Sequence, residues 1–252
     1  MLSKNNIKYI TALSMKKRRD AERLFVAEGE KLVDELLEHF QCELLVATDD
    51  YLSGKTVVRS NTIIKANAEE LKKITQLKTP ASVIGVFKQP EYTFEPDVLD
   101  TNLVIALDDI QDPGNLGTII RIADWFGINN IICSPHSADV YNSKTIQATM
   151  GAIARVRTHY MELTPLLQHC KKKNIPLYGT FLDGKNIYTD TLTPNGLIIM
   201  GNEGKGISTE LQPLISHRLF IPNFPINAKT SESLNVAVAT AITCSEFRRR
   251  MF

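Results

Sequence analysis

Short apolar runs of strand length alternate with helical patterns in the second half of the chain, and this alternation restricts the fold more than any other feature. The runs are LVIAL (103–107), IIC (131–133), LYGT (177–180), LIIM (197–200) and LFI (219–221). Continuous apolar runs of this length are typical of parallel strands that are buried on both faces and joined through helices. We therefore predict an α/β domain with a mostly parallel sheet over residues 101–252.

The first 90 residues predict a smaller α/β sandwich with the order β-α-β-β-α-β. Its expected strands are 24–27, 43–47, 56–58 and 83–87, and its expected helices are 28–40 and 68–76. The stretch QPEYTFEPDVLD that follows contains two prolines and several acids, so we place a linker at residues 91–100. No combination of side chains typical of catalysis occurs before residue 100.

The N-terminal segment is locally basic although the whole chain is nearly neutral, with a net charge of +1. A charge run usually forms only a solvated helix face, and that alternative stays open. The other interpretation is a basic arm that contacts the phosphates of RNA. Its candidate residues are Lys16, Lys17, Arg18, Arg19 and Arg23.

Targeting signals and metal-ligand patterns are not evident in the sequence. The N-terminus has no apolar signal segment, and no apolar run reaches the length of a membrane span, so we expect a cytoplasmic protein without membrane contact. The four cysteines have no paired spacing, which favours buried thiols. Cys133 and His136 have a C-x-x-H spacing without a second ligand pair, so we predict no metal site.

A glycine-rich loop, GNEGKG, follows the apolar run 197–200. Glycine lets a backbone bend sharply and approach a ligand closely, and the carboxyl end of a strand in an α/β sheet is a common binding site. The alternative is an ordinary turn. The spacing fits neither a phosphate-binding Walker loop nor a dinucleotide fingerprint, so we expect a different kind of ligand.

The segment DDIQDPGNLG follows the run 103–107 and precedes a predicted helix at 116–126. Pro113 and Gly114 form the expected turn, and Asn115 occupies the expected N-cap position. Arg121 lies six residues further along, about one and two-thirds helical turns. Alone, these residues could be a plain cap and a surface arginine.

Three stretches together resemble the SpoU/TrmH family of RNA ribose 2′-O-methyltransferases, within the SPOUT class. They are LDDIQDPGNLGTIIRIADWFGI (107–128), LIIMGNEGKGIS (197–208) and IPNFPINAKTSESLNVAVATAI (221–242), and ATMGAIARV (148–156) fits the segment between. Residues 22–87 look like the RNA-binding domain of the family, which is similar to certain ribosomal proteins. The resemblance implies a C-terminal domain with a deep trefoil knot, S-adenosylmethionine as cofactor, transfer or ribosomal RNA as substrate, and a homodimer.

The resemblance also assigns roles to individual residues. It implies catalytic roles for Asn115, Arg121, Glu203, Ser233 and Asn235. It places the cofactor against Thr180, Gly201, Asn202, Gly206, Ile221 and Leu234. We expect Arg121 to hold a phosphate or stabilise the developing alkoxide, and Glu203 to fix Arg121 by a charge-assisted hydrogen bond. The loop NFPINAKTSE (223–232) departs from the family pattern, because it is longer, contains Pro225 and lacks glycine.

Two other functions compete with this prediction. One is a protein that keeps the fold and binds RNA or assists ribosome assembly without catalysis. The other is a methyltransferase of the same class that modifies a base instead of ribose.

Overall fold

The computed structural model describes residues 2–225 and 233–251, and it divides into two compact units. The N-terminal unit comprises Met1–Glu91 and Asp139–Ala154, and the C-terminal unit comprises Tyr92–Ala138 and Arg155–Phe252. No helix within the described ranges has the length and apolar character that crossing a membrane would require. All four cysteines are buried and free, as their scattered spacing predicts.

The N-terminal unit contains a four-stranded sheet in the order β1-β4-β2-β3. β4 runs antiparallel to β1 and β2, and β3 runs parallel to β2. The strands are β1 (Leu24–Glu28), β2 (Cys42–Ala47), β3 (Thr62–Lys65) and β4 (Val83–Lys88). The helices are α1 (Lys4–Ala12), α2 (Lys16–Glu22), α3 (Glu30–His39), α4 (Asp49–Ser53) and α5 (Ala68–Leu71).

The predicted strand at 56–58 is wrong, because the third strand of this sheet is β3, several residues later. Val57 is highly exposed, and its segment contributes nothing to the core. α5 ends at Leu71 instead of continuing to 76, although Ile74 is buried as predicted. The basic N-terminal segment forms two helices, α1 and α2, which the charge pattern did not separate.

The C-terminal unit contains a six-stranded parallel sheet in the order β10-β8-β9-β5-β6-β7, which confirms the predicted α/β class. The strands are β5 (Leu103–Leu107), β6 (Asn130–Cys133), β7 (Arg157–Tyr160), β8 (Leu177–Asn186), β9 (Gly196–Met200) and β10 (His217–Phe220). The helices of the second half of the chain are α6 (Pro113–Trp125), α7 (Ser143–Thr149), α8 (Leu163–Lys172) and α9 (Val236–Arg249). Short 3-10 turns lie at Pro96–Asp100, Ala152–Ala154 and Gln212–Leu214.

The central strands β5 and β9 are fully buried along their length, which explains their continuous apolar sequences. Because the six strands are parallel, the loops that follow β5, β8, β9 and β10 leave the sheet at one edge. The residues predicted for catalysis and cofactor binding follow these strands, except Thr180, which lies within β8. The knot implied by the resemblance stays a prediction.

One segment of the second half, Asp139–Ala154, belongs to the N-terminal unit. Within that unit Arg19 forms an ion pair with Asp139, with 2.5 Å between Nη2 and Oδ2. The Tyr141 ring stacks on Phe25, and Gln147 Nε2 donates to the Glu28 carbonyl at 2.7 Å. The predicted domains, 1–90 and 101–252, are each continuous in sequence. In the structure, residues 139–154 of the second predicted domain belong to the N-terminal unit.

The predicted helix at 143–154 ends early. α7 stops at Thr149 because Met150 and Gly151 both have left-handed backbone conformations, with φ of 51° and 94°. A right-handed helix cannot continue through such residues. The chain resumes as the 3-10 turn Ala152–Ala154.

Candidate functional site

Three loops that carry the motifs of the resemblance meet through hydrogen bonds between side chains. Asn115 Nδ2 donates to Glu203 Oε1 at 2.8 Å, and Asn235 Nδ2 donates to Asn115 Oδ1 at 3.0 Å. Asn235 Oδ1 in turn accepts from the backbone N–H groups of Ala237 and Val238. A directional chain of hydrogen bonds therefore joins the glycine-rich loop to the first turns of α6 and α9.

The first turn of α6 places Asn115 for this role. Asp112, not Asn115 as predicted, is the N-cap, and its Oδ1 accepts from the Asn115 backbone N–H at 2.7 Å. Pro113 at the first helical position fits this arrangement, because its missing N–H would lack a helical partner anyway. Since Asp112 caps the helix, the Asn115 amide is free to lie between Glu203 and Asn235.

α6 and α9 begin and end side by side. The contact between Asn115 and Asn235 joins their N-terminal ends. At their C-terminal ends, Arg248 Nε donates to the Phe126 carbonyl at 2.7 Å, and its Nη2 donates to the Gly127 carbonyl at 3.1 Å. The two helices therefore run parallel, which fixes both asparagines relative to one another.

Arg121 and Ser233 are not part of this hydrogen-bond chain. Both side chains are exposed, and within residues 2–225 and 233–251 neither makes a hydrogen bond or an ion pair. The expected bond between Glu203 and Arg121 is wrong for this structure, because Glu203 bonds to Asn115 instead. The guanidinium of Arg121 is therefore available for a ligand. Residues 226–232, which include most of the unusual loop, lie outside the described residues.

The glycine loop, which we define as residues 201–208, closes on itself. Asn202 and Gly206 exchange two backbone hydrogen bonds of 3.0 and 2.9 Å. A Cβ atom at Gly201 would lie 2.3 Å from the backbone of Gly206 and of Ile207, so only glycine fits there. Gly206 has a φ of 70°, which also favours glycine.

The residues predicted to contact the cofactor follow adjacent strands. Thr180 lies in β8, Gly201 follows β9 and Ile221 follows β10, and these three strands are neighbours in the sheet. Thr180 is half-buried, and Leu234 is exposed immediately before Asn235. The topology thus brings Thr180, Gly201 and Ile221 to one edge of the sheet, although they are up to 41 positions apart in sequence.

The five cations predicted to bind RNA fall into three groups. Lys16, Lys17 and Arg18 are exposed on α2 and make no ion pair within the described residues. Arg23 lies beside Glu91, with 3.4 Å between Nη2 and Oε1. Arg19 is only 3% exposed, and its guanidinium also donates to the carbonyls of Leu13 and Ser14.

The placement of Arg19 corrects its predicted role. A guanidinium that is buried and bonded to a carboxylate and two carbonyls cannot contact a phosphate without unfolding its surroundings. No local pattern in the sequence indicates this contact, because the partner Asp139 lies 120 positions away.

Sequence reasoning also missed four polar residues that connect the loops of this site. They are Asp108, Asp109, Ser134 and Ser208. The sequence position of Asp108 could have indicated its role, because it directly follows a fully apolar strand. A carboxylate that is buried there needs hydrogen-bond donors. The cap Asp112 also had a signal, since Asp followed by Pro is typical of a helix start.

Comparisons with known proteins identify the family of this chain. The SpoU rRNA Methylase family matches residues 102–245, and an MRM3-like substrate binding domain matches residues 4–85. Because the first match covers more than half of the chain, this protein belongs to the SpoU rRNA methylase family. The sequence resemblance is thereby confirmed.

Individual relatives extend over nearly the whole chain. The 23S rRNA (guanosine(2553)-2′-O)-methyltransferase RlmP of Bacillus subtilis is 29% identical over 94% of this chain and 93% of its own length. A solved structure assigned to the TrmH family of RNA methyltransferases, from Porphyromonas gingivalis, is 40% identical, with a TM-score of 0.90 and 99% of both chains covered. An AdoMet-bound rRNA methyltransferase from Sinorhizobium meliloti is 32% identical, with a TM-score of 0.85, and covers 100% of this chain and 98% of its own.

Proposed function

We propose that this protein transfers a methyl group from S-adenosylmethionine to a ribose 2′-OH of RNA. The observation that carries the proposal is the hydrogen-bond chain from Glu203 through Asn115 to Asn235. It joins all three motifs of the family at the edge of the sheet where the glycine loop lies. A chain that had kept only the fold would not need these three polar side chains, of which Asn115 is half-buried and Glu203 and Asn235 are exposed, to be joined.

The residues at this edge suit the cofactor. Thr180 within β8, the glycine loop after β9 and Ile221 after β10 offer backbone groups on neighbouring strands, and the glycine loop is compact enough for close approach to its backbone. When bound, S-adenosylmethionine supplies a methyl group on a positively charged sulfur. The ribose oxygen would bond to that methyl carbon as the carbon–sulfur bond breaks, the electron pair of that bond would leave with the sulfur of S-adenosylhomocysteine, and the hydroxyl proton would pass to solvent water.

The side chains of the protein then have two tasks. Asn115 and Asn235 orient the ribose, since positioning is a large part of what an enzyme can contribute to a displacement. Arg121 grips a neighbouring phosphate or stabilises the oxygen as negative charge develops on it. A guanidinium is always charged in proteins, so we assign Arg121 to charge stabilisation and not to proton removal.

RNA recruitment belongs to the N-terminal unit in this proposal. Lys16, Lys17 and Arg18 form a compact group of exposed cations on α2, within the segment that matches a substrate binding domain. Such cations bind the phosphate backbone independently of sequence. Since relatives similar over most of their length are named as 23S rRNA methyltransferases, we propose ribosomal RNA in the cytoplasm as the substrate.

We further propose that the protein works as a homodimer through α6 and α9. Trp125, at the end of α6, is 85% exposed, and Leu234 and Val238, at the start of α9, are each 48% exposed. Large apolar groups that are exposed on two adjacent parallel helices are typical of a surface that a protein partner covers. A second copy is the partner that the family resemblance implies.

Labelled cofactor and ribosomal RNA that lacks modifications test the proposed reaction. We expect label in the RNA and, after complete nuclease digestion, a single 2′-O-methylated nucleoside. A methylated base would support the base-modifying alternative. Cofactor and RNA binding without any transfer would support the non-catalytic alternative.

A further inference from the structure

The glycine loop is fastened at two points to the loop that follows β5. Asn202 Nδ2 donates to the Asp109 carbonyl at 2.7 Å. Asp108 Oδ2 accepts from the backbone N–H of Ser208 at 2.7 Å. These two bonds lie at the beginning and the end of the glycine loop, so they hold it on both sides of Glu203.

Hydrogen bonds within the protein satisfy almost all of the donors and acceptors of the Asn202 side-chain amide. Its Oδ1 accepts from the backbone N–H groups of Gly204 and Lys205 at 2.9 and 3.0 Å, which occupies both lone pairs. Its Nδ2 donates to Asp109. The sequence assigned Asn202 to cofactor contact, but a side chain bonded in this way is better suited to shaping the loop.

The loop after β5 is itself anchored. The backbone N–H of Asp108 donates to the Met200 carbonyl at 2.9 Å, which extends the pairing of β5 with β9. Asp109 has a left-handed backbone, with φ of 58°, and its N–H donates to Ser134 Oγ at 2.9 Å. Ser134 Oγ also contacts Ser137 Oγ at 3.1 Å, in the loop after β6. The Asp109 carbonyl, which accepts the hydrogen bond from Asn202, is therefore held in place by these contacts.

Among the residues of this arrangement, Asp108 is the one whose burial is energetically unfavourable. Its side chain is buried, with 5% of the residue exposed, and burying a carboxylate is unfavourable unless hydrogen bonds compensate. The bond from Ser208 supplies part of that compensation and at the same time sets where the glycine loop ends. An apolar residue at this position would leave the Ser208 N–H without this acceptor, so the carboxylate points to a role in placing the loop.

We infer that Asn202 and Asp108 are positioning residues for Glu203, whose carboxylate accepts from Asn115. This inference rests on the methyl transfer proposed above. Glu203 is exposed and directly follows Asn202, so its place relative to Asn115 depends on how the closed glycine loop is held on the loop after β5. Holding a polar group in place before the substrate binds avoids reorganisation during the reaction. Loss of the fastening should therefore reduce turnover through Glu203.

The most specific variant is Asn202→Asp. An aspartate keeps the oxygen that accepts from Gly204 and Lys205, but it replaces the N–H donor with an oxygen that faces the Asp109 carbonyl. We expect turnover of the full-length protein to fall on the order of tenfold or more, in the range that small misplacements of catalytic groups cause. Gln111→Ala is the matched control, because it removes a 3.0 Å side-chain bond to Asp109 Oδ1 and leaves the fastening intact.

A double-mutant cycle with Glu203→Ala separates positioning from cofactor contact, in single-turnover reactions at saturating cofactor. If Asn202 acts through Glu203, adding Asn202→Asp to Glu203→Ala should change the rate by less than about twofold, because no carboxylate remains to be positioned. Rate losses that multiply in the double variant would overturn the inference and favour direct contact with the cofactor.

Hydrogen exchange of the full-length protein without ligands provides a readout that does not depend on activity. Asp108→Ala should speed exchange of the Ser208 amide at least tenfold, while amides in β9 keep their protection. Unchanged exchange at Ser208 would contradict the fastening. If the wild-type protein transfers no methyl group, the proposed function fails, whereas this exchange result still decides whether the loop is fastened.

Discussion

The two units of this protein use their polar side chains in opposite ways. On α2 in the N-terminal unit, three neighbouring cations are exposed and make no ion pair within the described residues. In the C-terminal unit, Asn115, Glu203 and Asn235 are bonded to one another across 120 residues of sequence. The first arrangement suits a flexible charged ligand such as an RNA backbone, and the second suits one fixed geometry.

Arg19 shows that the distinction depends on single positions and not on the charge run as a whole. It has cations on its N-terminal side, yet it is buried and paired with Asp139, and removing one partner leaves an uncompensated buried charge. We expect Arg19→Met to lower the free energy of unfolding by about 3–5 kcal/mol, the range for breaking a buried ion pair. Chemical denaturation checks this value.

Arg18→Met is the matched control for that experiment. Its side chain is exposed, so the free energy of unfolding should change by less than about 0.5 kcal/mol. Equal destabilisation by the two variants would contradict the assignment of Arg19 to structure and Arg18 to the surface.

Substitutions of Arg121 test the catalytic role that we propose for the C-terminal unit. Arg121→Ala should reduce turnover on the order of a hundredfold or more, because it removes one charged group that stabilises the transition state. Cofactor affinity, measured by calorimetry, should change little. Arg121→Lys should restore little activity. The compact ammonium group of lysine cannot reproduce the planar, forked hydrogen-bonding geometry of the guanidinium. Normal turnover in Arg121→Ala would show that the family role does not apply to this residue.

Trp125 tests whether the exposed surface of α6 and α9 is an interface between two copies. Trp125→Ala should weaken dimerisation about thirtyfold, since a tryptophan that a partner covers contributes about 2 kcal/mol or more. Sedimentation across a concentration series measures the change. Leu182→Ser is the control, because Leu182 is also highly exposed in the C-terminal unit but lies outside this surface.

This protein has a single tryptophan, so its fluorescence reports on the same surface. The emission of Trp125 should shift to shorter wavelength as the concentration rises through the dissociation constant. A monomer with full activity at micromolar concentration would contradict the homodimer.

The cations on α2 are expected to have the smallest individual effects. Changing Lys16, Lys17 and Arg18 together to alanine should weaken RNA binding on the order of tenfold near physiological salt, and should lower the slope of log affinity against log salt by about 2–3. Changing the run 171–173, which also holds three lysines, to alanine removes the same charge from the C-terminal unit. Equal losses in both variants would indicate a general charge effect instead of a binding surface.

These experiments need the full-length protein. Residues 139–154 pack within the N-terminal unit, where Asp139 pairs with Arg19 and Tyr141 stacks on Phe25. A fragment that begins near residue 95 would lose both partners. Its failure to bind RNA or cofactor would therefore not distinguish a missing binding surface from faulty packing.

The sequence predicted those parts of the molecule that depend on local pattern. Fully apolar β5 and β9 were placed within one residue, because both faces of a buried parallel strand require apolar side chains. The strand at 56–58 was misplaced, because its two valines suggested a strand although the sheet pairs with a later segment. Propensity in short exposed strands is easily overridden by tertiary pairing.

The site was predictable only in part, for a similar reason. Family motifs identified Asn115, Glu203 and Asn235 as candidates, but no local pattern says that Glu203 bonds to Asn115 instead of Arg121. The fastening by Asp108 and Asn202 likewise joins loops about 100 residues apart. Contacts of this kind depend on strand order, which periodicity does not specify.

Methylation of an RNA with one altered nucleotide tests the central claim most directly. After the modified position has been mapped, two otherwise identical RNAs are compared, one with ribose and one with 2′-deoxyribose at that nucleotide. The 2′-OH is the group that receives the methyl in this account, so the deoxy RNA should accept no label while it still binds. Label in the deoxy RNA at the same nucleotide would contradict transfer to ribose and would identify a base as the acceptor.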